Sequence, residues 1–148
     1  MKFANVRGEV RLNEPMSGHT SFRIGGPADA LVTPADRDDL MALLAEVRKQ
    51  GIPYVVLGGG TNLLVRDGGF RGAVISLKQM STIEVAREYR SLGGSFVVGQ
   101  ADAGAAVARL LGFSAERGRT GLEFATGIPG TVGGAICMTA GTAQGEIG

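Results

Sequence analysis

Short apolar runs alternate with glycine-rich breaks along most of this chain. "ADALVTP" closes on Thr33-Pro34 and predicts a strand; "ADRDDLMALLAEVRKQG" then places Leu40, Leu43, Leu44 and Val47 at helical spacing. Thr33 as N-cap, Pro34 in the first turn, early acids, late Arg48-Lys49 and a stop at Gly51 frame that helix. Asp38-Asp39 falls on its polar face and reads as solvated. "IPYVVLG" is wholly apolar and β-branched, so Ala30 to Leu57 predict a β-α-β unit with parallel strands, and "AVISL" beyond Gly68-Gly69 predicts another strand.

The texture changes near Lys78. "TIEVAREYRSLGGSFVVGQ" predicts two strands about a turn at Ser91 to Gly94. "DAGAAVARLLGFSAERG" predicts a helix with Asp102 as N-cap, a stripe of Val107, Leu110, Leu111 and Ser114, and a stop at Gly118, with Gly112 inside the pattern weakening the case for an unbroken helix. The expected organisation is one lobe over residues 1–78 and a second over 79–148.

Composition narrows the function classes. A chain of 148 residues with 44% hydrophobic positions can bury a core, and a formal charge of +1 argues against partners chosen by bulk charge, nucleic acid included. The polar start "MKFANVRGEVRLNE" has no apolar signal core and no run reaches ~18 apolar residues, so the expectation is a soluble cytoplasmic protein without a membrane partner. The single Cys137 excludes an internal disulfide and fits a reducing compartment; among apolar neighbours it reads as buried and inert. Glycine supplies 25 of 148 residues, against a usual ~7%, and it clusters, which points to tight turns and backbone-lined sites.

Two clusters carry candidate chemistry. In "LGGGTNLL" a strand runs into Gly58-Gly59-Gly60, where successive N–H groups can point into one concavity suited to phosphate oxygens. It is not a P-loop, lacking Gly-Lys-Ser/Thr, and it fails G-x-G-x-x-G because Leu63 takes the third glycine's place; Lys78 stands where an acid would hold a ribose. A purely structural turn and an anion nest both fit. In "GLEFATGIPGTVGGAICMTAG", Gly127, Gly130, Gly133 and Gly134 surround Pro129; this can be a backbone wall against a flat ring or a tight helix-packing turn. Arg23 in "HTSFRIGGPADALV" reads as a surface group with a possible anion role, and His19 as a turn residue, since no second histidine or cysteine cluster supports a metal.

Taken together and in order, "TSFRIGGPADALV", "VVLGGGTNLLVRDGGFRGAVI", "GLEFATGIPGTVGGAICM" and "AGTAQGEIG" give a chain that, over Ser17 to Gly148, resembles the N-terminal, FAD-binding half of the UDP-N-acetylenolpyruvoylglucosamine reductases of bacterial peptidoglycan precursor synthesis. The resemblance implies an α+β FAD-binding domain of the vanillyl-alcohol-oxidase/PCMH type, with two subdomains, C-terminally truncated and without the substrate-binding domain. It implies that Leu57, Gly58, Gly59, Gly60, Thr61, Asn62 and Leu63 form the pyrophosphate loop. It likewise implies that Gly127, Ile128, Pro129, Gly130, Thr131, Gly133, Gly134 and Ala135 lie against the flavin and its phosphates.

In that family NADPH reduces FAD, which passes hydride to the enolpyruvyl double bond of a UDP-sugar, giving UDP-N-acetylmuramate. The arginine, serine and glutamate of the family's chemistry come from segments beyond the position of Glu146, so no catalytic residue is assigned and the isolated chain is expected to hold FAD without turnover. Thr139 to Glu146 lacks the asparagine and tyrosine that many relatives carry there. The alternatives are a non-catalytic FAD- or nucleotide-binding module and another oxidoreductase of the same flavin superfamily; against the latter, His19 and Cys137 do not stand at recognised covalent flavin-attachment positions.

Overall fold

The computed structural model describes residues 1–147, which divide into two compact units, the first ending at Met80 and the second beginning at Ser81. In the first, β1 (Glu9–Pro15), β2 (Pro27–Thr33), β3 (Tyr54–Leu57) and β4 (Phe70–Ser76) form one sheet in the order β1-β2-β4-β3, with β1 antiparallel to β2 and the other neighbours parallel. Helix α1 (Arg37–Lys49) joins β2 to β3. Those two strands run parallel as expected, but β4 lies between them. The reason is burial: Gly72 to Ser76 are buried throughout, so β4 takes the centre, whereas β3 alternates and leaves Tyr54 and Val56 exposed. An unbroken apolar run here marks an edge strand, not a central one.

Both faces of the sheet are covered. Ala30, Val32, Ala73 and Ile75 pack against Leu43 and Val47 of α1. Leu31, Val74 and Leu57 pack with Met16 and Ala28 on the other. Ala28 can share a face with Leu31 because the β2–β4 register slips between Ala28 and Ala30, which breaks the two-residue alternation.

The start of α1 differs from the expectation. Thr33 still pairs with Glu9 inside β2, so it cannot cap, and Asp36 is the N-cap instead, its Oδ1 accepting from the Asp39 N–H at 2.9 Å. Asp39 is correspondingly not solvated. It is 1% exposed and accepts from the backbone N–H groups of Arg7, Gly8 and Ala35, each at 2.8 Å. Its carboxylate thus ties the N-terminal segment and the β2–α1 turn to the first turn of the helix. At the other end Gly51, at φ 64, supplies the left-handed stop.

In the second unit, β5 (Ile83–Ser91) and β6 (Gly94–Ala101) form an antiparallel hairpin closed by Leu92-Gly93. Tyr89 pairs with Phe96 across it, ring centroids 5.4 Å apart. Then come α2 (Val107–Glu116), α3 (Val132–Cys137) and the two-residue strands β7 (Gly141–Thr142) and β8 (Gly145–Glu146). A small core of Val107, Ala125, Ile128 and Ala135 holds the helices. Gly112 does not interrupt α2, and Gly118 at φ 58 follows its end. Asp102 does not cap it: the N-cap is Ala106, without a side-chain bond, while the Asp102 carboxylate accepts from Thr82 N–H at 2.8 Å and its own N–H donates to the Thr82 carbonyl at 2.9 Å. Four residues separate Asp102 from the helix, so it serves the base of the hairpin.

Burial acts to raise the Asp39 carboxyl's pKa, but the backbone donors of Ala35, Arg7 and Gly8 outweigh it and hold the group below the usual carboxylate range. A depressed native pKa contributes stability that is present above the unfolded value, about 4, and is lost as pH falls through the native one. Asp39→Asn is therefore expected to cost on the order of 2–3 kcal/mol in urea unfolding at pH 7 and to flatten the acid limb, while Asp38→Asn stays within about 0.5 kcal/mol.

Candidate functional site

The glycine loop of the first unit leaves the carboxyl end of β3. Leu57 is buried and Leu63 is half-buried against the same cluster, so both ends of the loop are pinned by apolar packing. Between them Gly58 and Gly59 are exposed, Gly60 is buried, Thr61 is half-buried and Asn62 is exposed. Gly60 has φ 66, and a Cβ there would run into the carbonyl oxygen of His19; the Ser21 N–H also donates to the Gly60 carbonyl at 3.0 Å. This glycine is required because another backbone segment, the strap from Met16 to Gly26, lies directly on it.

The N–H groups of the loop are a different matter. Among the described residues, no backbone or side-chain acceptor takes the N–H of Gly58, Gly59, Gly60, Thr61 or Asn62, while Leu63 N–H faces the Gly60 carbonyl across the Thr61-Asn62 turn. A run of five consecutive uncommitted donors at the end of an edge strand is a donor set that can serve an oxyanion, and it needs no lysine.

The second glycine segment, in the second unit, is built otherwise. Gly127 and Gly130 have φ 85 and 97, while Ile128 and Ala135 belong to the core. Thr131 caps α3, its hydroxyl accepting from Gly134 N–H at 3.4 Å. The Val132 and Gly133 N–H groups donate to the carbonyls of Ala105 and Ala103 at 2.8 and 2.9 Å, and Val107 N–H donates to Gly130 at 3.1 Å. A Cβ on Gly133 would stand 2.7 Å from that of Ala103. The helix-packing turn is therefore real, and the first-turn donors of α3 are already committed within the chain. What stays open to a ligand is the exposed ridge of Gly127 and Pro129, with Gly130 half-buried beside it.

Residues 28–148 match the family described as the FAD binding domain. The chain belongs to that family. It is 54% identical over 144 residues to the UDP-N-acetylenolpyruvoylglucosamine reductase of Geobacter sulfurreducens and 51% identical over 138 residues to that of Geotalea uraniireducens, covering 97% and 93% of this chain but only 45% and 43% of those proteins. The crystal structure of UDP-N-acetylenolpyruvylglucosamine reductase (MurB) from Thermus caldophilus superposes with a TM-score of 0.70 at 34% identity, over 95% of this chain and 45% of that one. The chain thus spans a little under half the length of these relatives, and the α+β fold expected from the resemblance is the one found.

Other residues of this FAD-binding domain take less prominent places. Arg23 is exposed at φ 54, and His19 lies in the turn after Met16, with Nε2 2.8 Å from Glu14 Oε1. Cys137 is exposed, contrary to expectation: α3 turns Ala135 inward, and Ile136, Cys137 and Met138 all face outward. In the segment from Thr139 to Glu146, the Thr142 hydroxyl donates to Phe124 C=O at 2.8 Å and accepts from Gln144 N–H at 3.2 Å, so it builds its own turn. A cavity of about 260 Å³ in the second unit is lined by Val107, Leu111, Phe124, Val132 and Ile136; it is apolar and does not touch the exposed glycines. Among the described residues, no three His, Cys, Asp or Glu side chains converge on a metal site.

The strap across Gly60 was invisible to periodicity, because its contact is backbone on backbone; "TSFRIGG", with its double glycine, was the only sign of it. Gly51 and Gly60 share a left-handed φ, but only Gly60 has a neighbour where a Cβ would go. Gly51→Ala is expected to cost about 1 kcal/mol and Gly60→Ala on the order of 3 kcal/mol or more, measured by denaturant unfolding. Cys137 in the native chain is expected to react with a thiol reagent as readily as in the unfolded chain.

Proposed function

We propose that this chain is the FAD-holding part of an NADPH-dependent reductase that converts UDP-N-acetylglucosamine enolpyruvate to UDP-N-acetylmuramate. Membership of the FAD binding domain family and the reductase names carried by its relatives support this reading. The single observation that carries the cofactor's place is the uncommitted donor run of Gly58 to Asn62. The diphosphate of FAD is assigned to Leu57–Leu63, where peptide N–H groups neutralise its two charges and the hydroxyl and amide of Thr61 and Asn62 complete the site. The flavin side is assigned to Gly127–Ala135, with Gly127, Pro129 and Gly130 as the backbone wall; Gly133 and Gly134 act there as packing residues.

When bound, FAD supplies the hydride-carrying centre; the residues of this chain bind and orient it, and none is assigned a proton-transfer role. The UDP-sugar, NADPH and the cytoplasmic setting belong to the whole protein, whose product feeds peptidoglycan synthesis and through it cell shape and division. Among the described residues no helix is long and apolar enough to cross a membrane.

Titrating FAD into the purified 148-residue polypeptide tests the reading. The expected outcome is saturable perturbation of the flavin absorbance bands and competition by ADP, which carries the same diphosphate. No binding at about 50 μM FAD, a free energy weaker than roughly 6 kcal/mol, would overturn it. With FAD bound, the polypeptide alone is expected to show no NADPH-dependent turnover of the UDP-sugar.

A further inference from the structure

The strap that lies on Gly60 is itself tethered, and the tether runs through the only histidine of the chain. Its two ends are zipped together, Met16 N–H to Gly26 C=O at 3.1 Å and Ser17 N–H to Gly25 C=O at 3.2 Å, and the Met16 side chain is fully buried. Inside it, the Thr20 hydroxyl donates to Ile24 C=O at 2.9 Å. From its crest the His19 imidazole reaches back to β1, Nε2 lying 2.8 Å from Glu14 Oε1, with both side chains only 20% exposed. Glu14 is fixed in turn: its backbone pairs with Ala28 of β2, and Arg11 Nη1 donates to the same carboxylate oxygen at 3.2 Å. Arg11 is also held by Glu9, and Lys78 lies 3.9 Å from Glu9.

A continuous chain of contacts therefore links the sheet to the glycine loop: β1, the Glu14 carboxylate, the His19 ring, the His19 carbonyl, Gly60. We infer that the Glu14–His19 pair positions the nucleotide loop, fixing the height of the strap over Gly60 and so the aim of the donors from Gly58 to Asn62. Both residues are positioning residues and neither touches the ligand. This inference rests on the proposed FAD site.

The closing experiment is FAD and ADP titration of the full polypeptide in five forms: unmodified, His19→Ala, His19→Gln, His19→Ala/Glu14→Ala, and Val47→Ala. The glutamine keeps an N–H donor near the Nε2 position. Val47 sits in the sheet–helix core away from the strap, so its truncation lowers thermal stability without moving the tether. Losing the tether is expected to weaken both ligands about five- to tenfold in H19A, H19Q is expected to recover most of that, and the double variant to be no weaker than H19A because the pair acts as a unit. V47A should lower the melting temperature and leave both affinities unchanged.

FAD binding by H19A within twofold of the unmodified chain overturns the inference and leaves the cofactor reading standing. Equal weakening in H19A and H19Q, or equal weakening in V47A, overturns it too, because the donor would then not matter or stability alone would explain the loss. No FAD binding by the unmodified chain overturns the cofactor reading and the inference with it. If H19A does not fold, Glu14→Gln, which keeps the size and removes the charge, is read by the same criteria.

Discussion

The first unit depends on segments of backbone approaching one another with no side chain between them. Gly60 under His19, Gly26 against Asp67 and Gly69 against Pro27 are three such crossings, and each places a carbonyl oxygen where a Cβ would stand. Packing of this kind holds loops to loops with hydrogen bonds and van der Waals contact instead of buried apolar area, so it can organise the polar edge of a sheet where hydrophobic burial has little to act on. The strand core supplies the stability, and the crossings supply the shape of the loop region.

This division explains why two similar glycine segments differ. In the first, the strap occupies one side of Gly60 and the carbonyl of that residue, leaving the row of N–H groups on the loop without partners. In the second, Ala103 and Ala105 take the donors that open α3, and the glycine at 133 exists to let Ala103 in. Counting glycines treats the two as equals. Following where each hydrogen bond goes separates a donor set that is free from one that is spent.

The sequence was most readable where side-chain burial governs. The helix of Leu40, Leu43, Leu44 and Val47, the hairpin about Leu92-Gly93 and the stops at Gly51 and Gly118 all stand where periodicity and turn chemistry put them. It misled where a local rule had a tertiary competitor. Thr33 has a capping side chain but is held in β2 by Glu9; Asp102 is capping-competent but serves Thr82; Asp39 follows the charged pattern of a solvated face but is buried by donors from residues 31 and 32 positions earlier in the chain. The order of the strands was not legible: the wholly apolar β3 lies at the edge, and β4, which contains a glycine and an arginine, lies between β2 and β3. The glycine loop was legible as a feature, and the reading proposed for it rests on the order of four motifs along the chain.

An oxyanion held by peptide dipoles is held by groups with no net charge. On the proposed reading of the loop, its five open donors therefore need no cluster of lysines and arginines beside them, and the chain keeps a formal charge of +1. Such a site is short-ranged and geometric: screening by physiological salt, which acts over about 8 Å, removes little from it, and it exerts no long-range pull on RNA or other polyanions. Selectivity then lies in the curvature of the backbone, which a single added methyl group can spoil and which no change in surface charge can restore.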